Sequence, residues 1–300
     1  MGAVSVGVMT AVQARINGEL GLHLSDGLVA AAISFGSGLA LLVILSLAVP
    51  AGRRGFRALT AGVRQRTIPW WMLGGGAAGA VTVATQGLAV AVIGVSLFTV
   101  GVVAGQTING LILDRVGFGP AGVVAVTIPR VIGGVLALVA VVVSLQGGVL
   151  DAVPLWMLVL PLIAGVGIAW QQATNGRLRQ RVGTPLTATL VNFLGGTVLL
   201  VVAAVVSVAV GGPPQPLPPE PLLYLGGALG VFYIFLSAAL VVHTGVLLLG
   251  LGTVAGQLLT AFAIDIVWPA SAGPGWILEA VVVVIALGSV VVAAAPWRRR

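Results

Sequence analysis

Cysteine is missing from the chain, so it forms no disulfide and offers no thiolate nucleophile or cysteine-ligated metal site. Charge is scarce: 7% of the 300 residues are charged, and all 14 basic residues are arginine. A soluble domain carries roughly 25% charged residues. A chain with so few cannot cover a water-facing surface. Histidine occurs only at His23 and His243, and the carboxylates are scattered. A membrane-embedded enzyme needs clustered carboxylates, a metal-spaced His pair or a serine with a base. None is visible, so no catalytic or metal-ligating residue is assigned. Gly74-Gly75-Gly76 lacks a following Gly-Lys-Ser/Thr, so no Walker phosphate loop is present. ATP is not expected to drive this chain, and no cofactor is expected.

What the chain has is apolar sequence: 59% hydrophobic residues and a mean hydropathy of +1.17. The apolar runs are continuous and about 20 residues long, unlike the ~10-residue alternating segments of a barrel. The class is an all-α integral membrane protein. A pI near 11.6 raises nucleic acid as a partner. The arginines instead sit in short clusters between apolar runs, as membrane topology requires, so no nucleic acid is expected. The first run lacks a basic leader and has a counterpart in mid-chain, so it is not read as a signal peptide.

The expected spans are Ala3–Leu20, Leu28–Val49, Pro69–Val90, Val95–Leu113, Val123–Leu145, Leu155–Thr174, Leu186–Val210, Pro221–Val242, Gly245–Val267 and Trp276–Ala295. Each can cross about 30 Å of hydrocarbon at 1.5 Å per residue. The 44 glycines suit close helix approach in lipid.

One stretch occurs twice. Gln13-Ala14-Arg15-Ile16-Asn17-Gly18-Glu19-Leu20 returns as Gln171-Gln172-Ala173-Thr174-Asn175-Gly176-Arg177-Leu178, both reading Q-x-x-x-N-G-x-L. The register continues. Ser34-Phe35-Gly36-Ser37-Gly38 aligns with Asn192-Phe193-Leu194-Gly195-Gly196, and Gly75-Gly76-Ala77-Ala78-Gly79 with Gly226-Gly227-Ala228-Leu229-Gly230. Val103-Ala104-Gly105-Gln106 with Asp114 aligns with Val254-Ala255-Gly256-Gln257 with Asp265. The reading is two five-helix repeats, 1–150 and 151–300.

Five spans is an odd number, so the second copy must enter the membrane from the opposite side. The loop after the second span carries Arg53, Arg54, Arg57, Arg64 and Arg66 and is expected in the cytoplasm. Counting from it puts both termini inside, with Arg177, Arg179, Arg181 and Arg298-Arg299-Arg300. Asp26, Asp151, Glu220 and Asp265 fall outside. Equivalent positions exchange sign, Glu19 against Arg177. The ten transmembrane helices are thus read as two inverted repeats, the recurrent plan of secondary transporters.

The repeated unit, opening on Q-x-x-x-N-G-x-L and followed by Ser34–Gly38 or Asn192–Gly196, resembles the YdcZ-like family of the drug/metabolite transporter superfamily in a fused double-length form. The resemblance covers essentially the whole chain. It implies a multi-pass carrier in the cytoplasmic (inner) membrane that exports a small molecule, and it implies no particular substrate. A passive channel or a structural membrane subunit is the competing class. The lipid bilayer is the expected partner. Proton coupling, and the choice between monomer and homodimer, stay open.

The expected substrate-binding residues are amides repeated in both halves. Gln13 and Asn17, with Gln171 and Asn175, either line a cavity or act as packing between helices. Asn17-Gly18 and Asn175-Gly176 also read as helix stops. Gln106 and Asn109, with Gln257 and Thr260, form a second pair placed deeper in the spans. Trp170 beside Gln171 could stack on a ring or cation. Ser34, Asn192 and Gln86 are weaker candidates. Glu19 is the coupling candidate, because relatives in the superfamily use a first-helix glutamate, although an i, i+4 pair with Arg15 is the plainer reading. Arg130 is expected to snorkel, His243 to lie at an interface, and Trp70, Trp71, Trp156, Trp268, Trp276 and Trp297 to form the aromatic belt.

Overall fold

The structure, a computed structural model, describes residues 1–123, 125–146, 153–268 and 275–295. The boundary expected at 150, Asp151, Trp297 and the Arg298–Arg300 tail lie outside the described residues. Among the described residues every regular element is helical. α1 is Gly2–Leu24, α2 Gly27–Ala48, α3 Pro50–Arg64, α4 Gly75–Ile93 and α5 Val95–Arg115. Then come α6 Ile128–Ser144, α7 Leu155–Val182, α8 Pro185–Gly211, α9 Gly226–Val267 and α10 Trp276–Ala294. Short 3-10 turns, Trp70–Leu73 and Pro221–Tyr224, lead into α4 and α9. Seven of the described helical stretches are long and apolar enough to cross a membrane, and Ile128–Ser144 and Gly252–Val267 are shorter apolar helices.

Two sequence expectations are corrected. First, Asn17-Gly18 and Asn175-Gly176 do not stop their helices. α1 runs on to Leu24 and ends at Ser25 (φ 52°), after which the Asp26 carboxylate accepts from Leu28 N and Val29 N and starts α2. α7 runs on to Val182 and ends at Gly183 (φ 78°). The asparagines are mid-helix because their side chains hydrogen-bond to other side chains instead of capping. Second, the five-arginine segment is largely the helix α3 and not a loop. Gly52 and Gly55 lie against α2 and α8, while Arg53, Arg57 and Arg64 stand exposed beside Phe56 and Val63. That amphipathic pattern suits a helix lying in the headgroup plane. The spans expected at Pro221–Val242 and Gly245–Val267 both fall largely within α9, Gly226–Val267.

That helix is not straight. At about 1.5 Å per residue, Gly226 and Asp265 would be nearly 60 Å apart on a rod. Both instead lie beside the second half of α1. Gly226 meets Asn17, Gly230 meets Gln13 and Gly2 meets Leu240, an antiparallel run. Ala3 meets Gly252, Gly7 meets Gln257 and Arg15 lies over Trp268, a parallel run. The chain therefore reverses between Leu240 and Gly252, and α1 lies along both arms. α7 does the same with two separate helices. Gly75 and Gly79 of α4 meet Asn175 and Gln171, and Gly101 and Gly105 of α5 meet Pro161 and Leu162. Between α4 and α5 the reversal is made by Gly94 (φ 87°).

α1 and α7 are thus the central helices. α2 and α8 pack together on one flank, where Phe35 and Phe193 stack with centroids 4.7 Å apart. α6 and α10 pair on the other, with Gly133 against Ser289 and Ala293. The outer faces, including Val43, Ile44 and Leu47 of α2 and Val201, Val202 and Val205 of α8, are exposed and apolar, as lipid contact requires. The two ends differ in sign. One end gathers α3, Arg115, Arg130 and Arg177–Arg181. The other gathers Glu19, Asp26, Glu220, Asp265 and Glu279, with Arg15.

Candidate functional site

The repeated amides lie at the centre, buried. Gln13 Nε2 donates to Gly226 O at 2.7 Å, and Asn17 Nδ2 to Gln86 Oε1 at 2.8 Å. In the second copy, Gln171 Nε2 donates to Asn192 Oδ1 at 3.2 Å, and Asn192 Nδ2 to Asn175 Oδ1 at 3.5 Å. Each amide has room only because the facing helix has glycine. A Cβ at Gly79 or Gly230 would stand 2.5 Å from the Nε2 of Gln171 or Gln13. These interactions hold the helices at close range, and they leave some oxygens free. Gln13 Oε1, Asn17 Oδ1, Gln106 Oε1 and Gln257 Oε1 are buried without a hydrogen-bond partner.

A cavity enclosing about 610 Å³, its open mouth included, lies towards the arginine end between α5, α6, α7, α9 and α10. Gln106, Thr107, Asp114, Arg130, Gln172 and Ser289 give it its polar wall. Arg130 Nη1 sits 3.4 Å from Asp114 Oδ2 and donates to Ala125 O at 3.2 Å. Gln106 Nε2 donates to Gln172 Oε1 at 3.4 Å. The hydroxyls of Thr107 and Ser289 donate to Val103 O and Ala286 O, so they turn lone pairs towards the cavity. A narrower cleft of about 360 Å³ adjoins it, lined by Gln171, Gln172, Asn175, Ser237, Thr253 and Gln257 among others.

Four of the expected residues therefore border open space: Gln106 on the larger cavity, and Gln171, Asn175 and Gln257 on the cleft. Gln13 and Asn17 are packed away from both. Asn109 donates to Val166 O at 2.8 Å, and Thr260 is half-buried on α9. Trp170 stacks on Phe118 with centroids 4.6 Å apart, so one ring face is already covered. Glu19 sits at the acidic end, paired with Arg15 at 2.6 Å. Arg130 is not a surface cation but pairs with Asp114 inside the cavity wall. His243 is exposed.

Sequence reasoning passed over three residues. Gln172 lines both spaces, and its only signal is that it follows Gln171, since its counterpart is Ala14. Asp114 falls just past the end of an expected span, Val95–Leu113, where a carboxylate carries no signal of its own. Glu279 went unremarked, although an acid inside an apolar run is itself a signal. It is 7% exposed and lies near Asp265.

Comparison with known protein families matches residues 1–143 and again 156–292 to one family, described as "Putative inner membrane exporter, YdcZ". No curated protein matches the chain.

Proposed function

The chain belongs to this YdcZ exporter family, and on that premise we propose that it is a secondary carrier exporting a small molecule by alternating access between two inverted five-helix repeats, 1–150 and 151–300. Membership and the apolar helices together make it a multi-pass protein of the inner membrane.

The observation that carries the mechanism is a packing scheme that recurs with roles exchanged. Gln171 against Gly79 has its counterpart in Gln13 against Gly230, and Asn175 against Gly75 in Asn17 against Gly226. α7 lies along α4 and α5 as α1 lies along the two arms of α9. Phe35 and Phe193 stack on each other where the pseudo-two-fold axis would pass. The cavity breaks this correspondence. It opens beside Gln106, Ala169 and Asp114, whereas the counterpart region around Ala11, Ala261 and Ile93 is packed apolar core. The positive-inside rule assigns the arginine end, and both termini, to the cytoplasm. This is then an inward-open form, and exchanging the two halves' conformations generates the outward-open one. One chain contains both halves, so a monomer suffices.

The free polar functions of the cavity include acceptors, Gln106 Oε1 and the Thr107 and Ser289 hydroxyls, and donors, Gln172 Nε2 and the remaining N–H groups of Arg130. The Asp114–Arg130 pair adds no net charge. Both favour a small polar substrate that donates and accepts hydrogen bonds over a strong anion. The test is a screen of amines, amides and polyols on reconstituted protein by solid-supported-membrane current and thermal shift, followed by vesicle uptake of any hit. Saturable, gradient-driven uptake is expected, and Gln106→Leu and Gln257→Leu should lower it at least tenfold while still inserting. Unsaturable flux would point to a channel, and unchanged kinetics in both variants would remove these residues from the site.

A further inference from the structure

α5 begins at Val95, directly after the Gly94 break, and its first N–H groups have no acceptor within the helix. The carboxylate that takes them comes from another helix. Asp265 Oδ1 accepts from Val95 N at 3.1 Å, and Oδ2 from Ser96 N at 2.6 Å. A helix N-terminus holds about half a positive charge, so an ionised carboxylate is the preferred partner there. The contact ties α9 to α5 and closes the acidic end.

Charge around this contact does not balance. Glu19 and Asp265 lie around one guanidinium, that of Arg15, and Glu279 lies beside Asp265. Arg15 is already bound to Glu19 and stacked over Trp268 at 5.1 Å, and its Nε is buried without a partner. Glu279, 7% exposed beside Asp265, makes no hydrogen bond or ion pair among the described residues. Ser96 Oγ, 3% exposed, lies against the Asp265 carboxylate. α6 packs along α10 but brings no charge here, since its Arg130 pairs with Asp114 at the opposite end. Burying a carboxylate without donor or cation is costly, and the smallest ligand that removes the cost is a proton.

We propose that Asp265 and Glu279 form a proton-binding site that latches the acidic end shut while a proton is bound, and that loss of the proton to that side releases it. The proposal rests on the carrier reading and names its coupling site, on α9 and α10 instead of at Glu19. In the latched state two N–H groups and a helix N-terminus hold Asp265 as the anion. The latched state also buries Glu279 beside that anion with no donor or cation of its own, and the hydrated released state relieves this. The latched state therefore binds the proton more tightly, and raising the pH shifts the population towards the released one. The proton passes between bulk water and the carboxylates, and no other group is consumed.

A chain without cysteine suits accessibility labelling. Ala11→Cys reports on the acidic side: Ala11 is 1% exposed in the core beside Ala261 and Ile93, where Ala169 borders the cavity in the other half. Spheroplasts are treated from outside with a membrane-impermeant maleimide over a range of pH. The rate is divided by that of Leu217→Cys, an exposed position, which cancels thiolate ionisation. The ratio is expected to rise as pH rises, by at most about tenfold per pH unit for one proton. Glu279→Gln and Asp265→Asn should abolish the pH dependence, with Ala169→Cys still labelled from the cytoplasmic side as proof of folding. A ratio that is finite but flat with pH overturns the latch and leaves the carrier standing. No labelling of Ala11→Cys or Ala261→Cys at any pH, with Ala169→Cys reactive, overturns the alternating carrier and the latch together.

Discussion

Asn17 and Asn175 occupy the same place in the repeated motif, yet their partners differ. Asn175 accepts from Asn192 on α8, while Asn17 donates to Gln86 on α4. The aligned positions explain the difference. Where the second copy has Asn192, the first has Ser34, which is too short to bridge and is left unpartnered. Where the first copy has Gln86, the second has Ser237. Each half keeps one amide to satisfy its asparagine and places it on a different helix. Gln86→Ser is therefore expected to destabilise by about 1–3 kcal/mol, the cost of stranding a buried amide, although interhelical bonds in membranes average nearer 0.6 kcal/mol. Adding Ser34→Asn should recover most of the loss, read as the melting temperature of the single and double variants in detergent. No recovery would mean that the two sites are not interchangeable. The amides themselves were legible from their spacing. Their partners were not, because a hydrogen bond between residues 69 apart has no local sequence signal.

At the scale of elements, length and hydropathy located the long spans, since about 20 apolar residues leave the backbone few alternatives to helix in lipid. They missed α3, because alternating arginine and apolar residues lower the mean hydropathy while producing an amphipathic face. They also misplaced the ends of α1 and α7, which overrun the expected spans. Chain reversals are where single residues govern elements. Gly94 combines φ 87° with ψ 159°, a region essentially reserved for glycine. Gly94→Ala is expected to cost about 1–3 kcal/mol and to lower the melting temperature. Gly36→Ala and Gly288→Ala, in helices with nothing within 4 Å of the added carbon, should be neutral or gain up to about 1 kcal/mol. Equal effects in all three would show that the turn at Gly94 is not strained by a side chain.

For the whole molecule, the segregation of arginines and acids to opposite ends gives a direct test of orientation. Fluorescent protein fused to either terminus should fold and fluoresce in the cytoplasm, and a periplasm-dependent phosphatase inserted in the largely exposed 213–217 segment should be active. An inactive insertion, or a dark terminal fusion on an inserted protein, would reverse the assignment of sides and sink the inverted arrangement.

By itself the sequence determined the solvent, the helical class and the family, because hydropathy, charge clusters and a repeated motif are all properties of the linear chain. Tertiary structure alone decided which amides border open space and which only hold helices together, because Gln13 and Gln171 differ in neighbours and not in kind. It also decided that Asp265 accepts from the first N–H of a helix 170 residues away in sequence. Such a contact depends on where α9 turns back, and the linear chain does not encode it as a pattern.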